Sequence, residues 1–267
     1  MFYKKRIYLI LSGIIIIICL FLSTSVLATI RVEPSRYIIY MQEGARVTET
    51  INVSNNTDQV LDLVANFYDW NMDDKYELQT HELGTLNSSL KGFFRFNPRK
   101  FQLKPGETQV VRFTINIPDS EEKKERRGII FIEHESDFEE EGIGAKIVTK
   151  IGTTVYAIPE DTGFTFNVLD SKIIKNDKGK IFGAFLTENV GTRHLRFEID
   201  YRIINGEGRE VESDLVEEKV LLPNMKRGVI FPFKNSLDKG EYQLMATFTF
   251  PDTDETLNRK IKFKVGD

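Results

Sequence analysis

Along most of the chain, polar and apolar residues alternate one by one. Residues 46–54 (RVTETINVS) put Val47, Ile51 and Val53 on one face, with Glu49 as a polar exception. Residues 109–117 (QVVRFTINI) align Val111, Phe113, Ile115 and Ile117. Residues 241–250 align Tyr242, Leu244, Ala246, Phe248 and Phe250, and residues 260–265 align Ile261, Phe263 and Val265. Residues 129–132 form a compact apolar run. A period of two places alternate side chains on opposite faces of a strand, and Ile, Val, Thr, Phe and Tyr suit a half-buried pleated surface. Turn signals separate the runs: Glu43-Gly44, Asn55-Asn56, Lys104-Pro105-Gly106, Asn205-Gly206 and Lys239-Gly240. Short strands with frequent turns and no sustained helical period predict an all-β chain of sandwich type.

The first residues follow a different pattern. Lys4, Lys5 and Arg6 precede an apolar run from Ile7 to Leu22, and Val26 and Ala28 meet the small-residue rule for cleavage before Thr29. The segment reads as a signal peptide of residues 1–28, with an uncleaved membrane anchor as the alternative. Both readings export the protein, to a periplasm or to the cell surface. Removing 28 residues from 267 leaves 239, comfortable for two sandwiches. A short linker is expected around Pro159, dividing the remainder into 29–159 and 164–267.

Composition narrows the chemistry. The single cysteine, Cys19, lies in the leader, so the mature part has no disulfide, thiolate nucleophile or cysteine metal site. The leader takes three of 36 Lys and Arg residues. The 33 that remain face 40 acidic residues, a net charge of −7 that disfavours nucleic acid as a partner. His81, His134 and His194 are far apart, and no HExxH, GxSxG or phosphate-loop pattern occurs. No catalytic residue, metal site or cofactor is assigned, and the chain reads as a non-enzyme. Asp69, Asn71 and Asp73 begin like a calcium loop, but Asp74 and Thr80 stand where that loop needs Gly and Glu, so a polar loop is expected. The acidic run 137–142 (DFEEEG) reads as a solvated loop between strands.

Three stretches of residues 30–159 occur in a telling order: 32–44 (VEPSRYIIYMQEG), 95–117 (RFNPRKFQLKPGETQVVRFTINI), and 127–133 (RGIIFIE) with 145–159 (AKIVTKIGTTVYAIP). This set resembles the N-terminal immunoglobulin-like domain of periplasmic pilus-assembly chaperones and their broader bacterial envelope relatives, including surface proteins that bind WxL-domain proteins. The resemblance implies two tandem immunoglobulin-like β-sandwiches and a chaperone-like or assembly-related role. The partner would be another envelope or surface protein, either a pilin-like subunit or a wall protein. Such chaperones lend an edge strand to the partner, whose groove takes alternate apolar side chains. Here Ile143, Ala145, Ile147, Ile151 and Val155 lie on one face at period two, with Thr149 and Thr153 between them. The same alternation also describes a core strand of an ordinary sandwich. The resemblance further implies an anchor for a terminal carboxylate, with Arg36 as its arginine; Thr154 stands where the lysine of that anchor belongs. The alternative function is a structural or adhesive envelope scaffold with sandwich spacers. A glycan-binding module would need an exposed aromatic platform, for which Phe67, Tyr68 and Trp70 are the local candidates.

Overall fold

The computed structural model describes residues 30–42, 44–119, 121–140 and 143–266. The leader of residues 1–28, with its cleavage site, lies outside the described residues.

The fold is all-β. Among the described residues, ten strands precede residue 160: β1 (Ile30–Glu33), β2 (Arg36–Met41), β3 (Arg46–Asn55), β4 (Leu61–Met72), β5 (Leu78–His81), β6 (Phe94–Asn97), β7 (Lys100–Leu103), β8 (Thr108–Asn116), β9 (Arg126–Glu140) and β10 (Ile143–Pro159). Seven follow: β11 (Phe166–Lys175), β12 (Ile181–Asn189), β13 (Leu195–Asn205), β14 (Glu210–Leu221), β15 (Lys226–Pro232), β16 (Gly240–Thr249) and β17 (Thr256–Val265). The first ten form a sandwich of two sheets, β1-β3-β8-β6 against β2-β10-β9-β4-β5, with β7 also on β4. The last seven form a second sandwich, β11-β12-β15 against β14-β13-β16-β17.

Each sandwich closes over its own core. In the first, the alternating faces of β3 and β8 bury Ile51, Val53, Val111, Phe113 and Ile115. They meet Leu63, Ala65, Ile130, Ile132, Val155 and Ala157 from the facing sheet. Phe67 stacks on Phe94 at 3.8 Å, and Tyr37 meets Phe113 edge-on at 5.1 Å. In the second, Phe185, Phe197, Tyr201, Phe231, Phe233 and Phe248 dominate. Each such ring contributes roughly 1.5–3 kcal/mol when fully buried. The sequence's polar exception, Glu49, lies opposite Phe113 at a half-buried position.

The chain changes sheets early. β1 pairs with β3 in one sheet, whereas β2 runs parallel to the end of β10 in the other. Pro34 separates them and has no N–H with which to continue either ladder. This crossover decides which part of β10 has a neighbour. The acidic run expected as a loop is largely strand: β9 extends to Glu140, paired with Ile143, while residues 141 and 142 lie outside the described residues.

Candidate functional site

β9 and β10 form a long antiparallel hairpin whose register is unbroken from Ala157↔Arg126 to Ile143↔Glu140. Their outer neighbours stop early. β4 accompanies β9 only as far as Glu133, and β2 accompanies β10 only from Thr154 onward. Beyond those points, residues 134–140 and 143–149 pair only with each other among the described residues, while residues 150–153 pair with 130–133 and have no strand on their other side. The hairpin therefore leaves the sandwich as a two-stranded ribbon, and β10 has an open outer edge along 143–153.

Parity along β10 determines which backbone groups line that edge. The Thr154 amide donates to the Ser35 carbonyl at 3.1 Å, so even-numbered residues direct N–H and C=O outward while odd-numbered residues pair with β9. Val148, Lys150 and Gly152 thus present backbone donors and acceptors at the open edge.

The face identified from the sequence is divided by depth. Val155 is fully buried, and β10 is paired on both sides there. It is a core residue, because β2 covers this part of the strand, and it is not available to a partner. The Thr153 hydroxyl donates to the Pro34 carbonyl at 2.8 Å, where the open edge ends and β2 begins to cover the strand. Ile151 is half-buried against the core. Ala145 is exposed, and Ile147 and Val148 on opposite faces are each 48% exposed. Ile143 is in the strand opposite Glu140. Lys150 reaches Glu133 at 3.1 Å, and Lys146 reaches Glu135.

Arg36, the arginine of the implied carboxylate anchor, begins β2 directly opposite Thr154. Its side chain is partly exposed and faces the second sandwich, where its Nη1 lies 3.3 Å from Glu218 Oε1. Arg196 binds the same oxygen at 2.5 Å. Burial raises the Glu218 pKa, but the two guanidinium groups outweigh it and hold this carboxyl below its ordinary value. Arg36 is therefore an engaged cation at the mouth of the seam, already provided with a carboxylate from its own chain.

The seam between the sandwiches contains what sequence reasoning missed. Trp70, Ile129, Tyr156, Ile158 and Leu222 form a buried apolar patch there. Trp70 is 1% exposed and its Nε1 donates to the Gly128 carbonyl, so it offers no glycan platform. Beside the patch, the buried Glu125 carboxylate accepts from the His194 backbone amide at 2.6 Å, from His194 Nδ1 at 2.5 Å and from Arg127 Nη1 at 3.2 Å. Burial alone would raise the Glu125 pKa; His194 and Arg127 outweigh it and hold the carboxyl below its usual 4.5. Tyr156 stacks on His194, and its hydroxyl is pushed up to about 12, chiefly by burial. Tyr76 and Arg227 stack at the far end of the seam, where the Tyr76 hydroxyl accepts from the Gly228 amide at 2.8 Å. These links join the base of the β9–β10 hairpin and the end of β4 to the second sandwich. No sequence signal marked Glu125 and His194, because they are 69 residues apart and Glu125 sits in a charge run that reads as solvent-facing.

The remaining polar candidates are structural. Asp69 is fully buried and accepts from the Gly84 and Leu86 amides and the Ser89 hydroxyl, tying β4 to the loop at 82–89. Asp73 accepts from the Lys75 and Glu77 amides in a tight turn, which holds its carboxyl below the ordinary range. His81 pairs with Asn71 and His134 with the Asp62 carbonyl, well away from His194.

No family model matches the chain, and no curated protein matches it. Several solved structures are similar. One is a chain of the chaperone–tip adhesin complex of CFA/I fimbriae biogenesis, at 13% identity and TM-score 0.49, over 87% of this chain and 98% of that chain. Another is the class 5 fimbriae chaperone CfaA, at 12% identity and TM-score 0.48, with the same coverage. A third is from the CsuC–CsuE chaperone–tip subunit pre-assembly complex of Acinetobacter baumannii, at 11% identity and TM-score 0.43, again over 87% and 98%. The likeness is one of fold.

Proposed function

We propose that this chain is a non-enzymatic, exported protein-binding protein that captures its partner by β-strand addition along the open edge of β10. The observation that carries this reading is the combination of unpaired backbone groups over 143–153 with the exposed Ile147 and Val148. An open, apolar strand edge is normally shortened, charged or covered. Here it is long and projects from the body, the form suited to receiving an extended segment whose alternate side chains pack beside it. The resemblance of residues 30–159 points to an envelope or surface protein as the partner class, with a chaperone-like or assembly-related role.

Proline substitution tests the edge without disturbing the hairpin. At Val148 the amide points outward, so Val148→Pro removes an edge donor and leaves the bonds to β9 intact. This variant is expected to fold with unchanged thermal stability and to lose capture of the partner from an envelope extract of the producing cells. Ile147→Lys, with an exposed side chain, should weaken capture as well. Partner recovery at wild-type levels by a folded Val148→Pro variant would refute strand addition.

A further inference from the structure

A second surface, on the opposite side of the first sandwich, carries an independent reading. The register of β1, β3, β8 and β6 places one set of side chains on the outer face of that sheet. It comprises Arg31 and Glu33 from β1, then Arg46, Thr48, Thr50, Asn52 and Ser54 from β3. β8 adds Thr108, Val110, Arg112, Thr114 and Asn116, and β6 adds Arg95 and Asn97. Four arginines and one acid therefore share a face of a chain whose net charge is −4. The acid, Glu33, is taken by Arg31 at 2.6 Å. Arg46, Arg95 and Arg112 are exposed and have no hydrogen-bond or ion-pair partner among the described residues. Between them stand hydroxyls and amides, with Thr48 and Thr114 joined at 2.9 Å.

The geometry restricts what fits. Arg95 lies opposite Thr114 and Asn97 opposite Arg112, so Arg95 and Arg112 are diagonal neighbours about 7–8 Å apart. Both line an open groove of about 440 Å³ floored by Val110 and Thr114. Arg46 continues the series across Asn116. A folded protein partner needs an apolar or aromatic anchor, and Val110, 43% exposed, is the only large apolar residue on this face among the described residues. A neutral glycan needs a ring to stack on; Phe96 points inward and Arg99 covers it. A linear polyanion needs neither. The guanidinium fork takes a phosphate in two parallel hydrogen bonds, and the threonines and asparagines between the arginines suit hydroxyls between successive charges.

We propose that this face, centred on Arg95 and Arg112 with Arg46, binds a polyol-phosphate chain, a linear polymer that alternates phosphodiesters with hydroxylated carbons. Arg95 and Arg112 lie on the sheet that does not contain β10, at the end of it away from β1.

The test is fluorescence anisotropy with labelled poly(glycerol phosphate) oligomers on the full mature chain, with polyglutamate of matched charge as competitor. Arg95→Glu with Arg112→Glu should weaken binding by about tenfold or more, with thermal stability unchanged because both side chains are exposed. Arg95→Lys with Arg112→Lys should give a smaller loss, since charge remains and the fork is gone. Lys260→Glu with Lys262→Glu, an equal charge change on the second sandwich, should alter binding less than about twofold. With three phosphates engaged, log affinity should fall against log salt with a slope of about −2. Undiminished binding by the arginine-to-glutamate variant would overturn the proposal, as would equal loss in the lysine control or equally tight binding of polyglutamate.

Discussion

At the residue scale, two asparagines repeat one device in the two sandwiches. Asn55 ends β3 and donates to the Gln59 and Leu103 carbonyls while accepting from Thr57. Asn189 ends β12 and donates to the Arg193 and Leu221 carbonyls while accepting from the Gly191 amide. Both are fully buried and pin a turn to a neighbouring strand. Alanine at either position leaves buried carbonyls without donors, so each variant should lose about 1–3 kcal/mol in denaturant unfolding. Glu125 has a different signature. Its folded pKa lies below its unfolded value near 4.5, so the stability it contributes is present above that pH and is lost as pH falls through the folded pKa. The melting temperature of the wild type should therefore drop below about pH 4.5 more steeply than that of Glu125→Gln. At neutral pH, Glu125→Ala should cost about 3–5 kcal/mol, because it strands His194 and Arg127 beside a buried cavity.

At the scale of elements, the alternation that predicted strands at 46–54, 109–117 and 241–250 identifies the inner faces correctly: Ile51, Val53, Val111, Phe113, Leu244 and Phe248 are all core residues. The two readings of residues 143–157 were both compatible with one periodic pattern, and both describe β10. Its end is a core strand carrying Val155 and Ala157, and its beginning is an exposed ribbon carrying Ile147. Periodicity reports which face a side chain occupies. It is silent on which backbone edge has a neighbour, since that depends on β1 leaving for the other sheet at Pro34. The acidic run at 137–140 misled for a related reason: charge signals solvent exposure, and a ribbon projecting into solvent satisfies it as well as a loop does.

At the scale of the molecule, two cores of ordinary sandwich type are joined by a seam whose composition is unusual for a linker. An apolar patch around Trp70 and Tyr156, a buried carboxylate and a Tyr–Arg stack link residues far apart in the sequence. Arrangements of this kind have no local signature, which is why the sandwiches were legible and the seam was not. The seam also gives the ribbon a fixed base, because Tyr156 belongs to the same strand as the open edge and packs against His194 of the second sandwich.

Backbone amide exchange along β10 tests the central claim most directly. In the isolated chain, the amides of Thr149 and Ile151 should be protected through β9, while those of Val148, Lys150 and Gly152 exchange rapidly. In the chain purified with its captured partner, Val148, Lys150 and Gly152 should become protected to the level of their odd-numbered neighbours. Rapid exchange at these three positions in the complex would show that the partner binds without adding a strand.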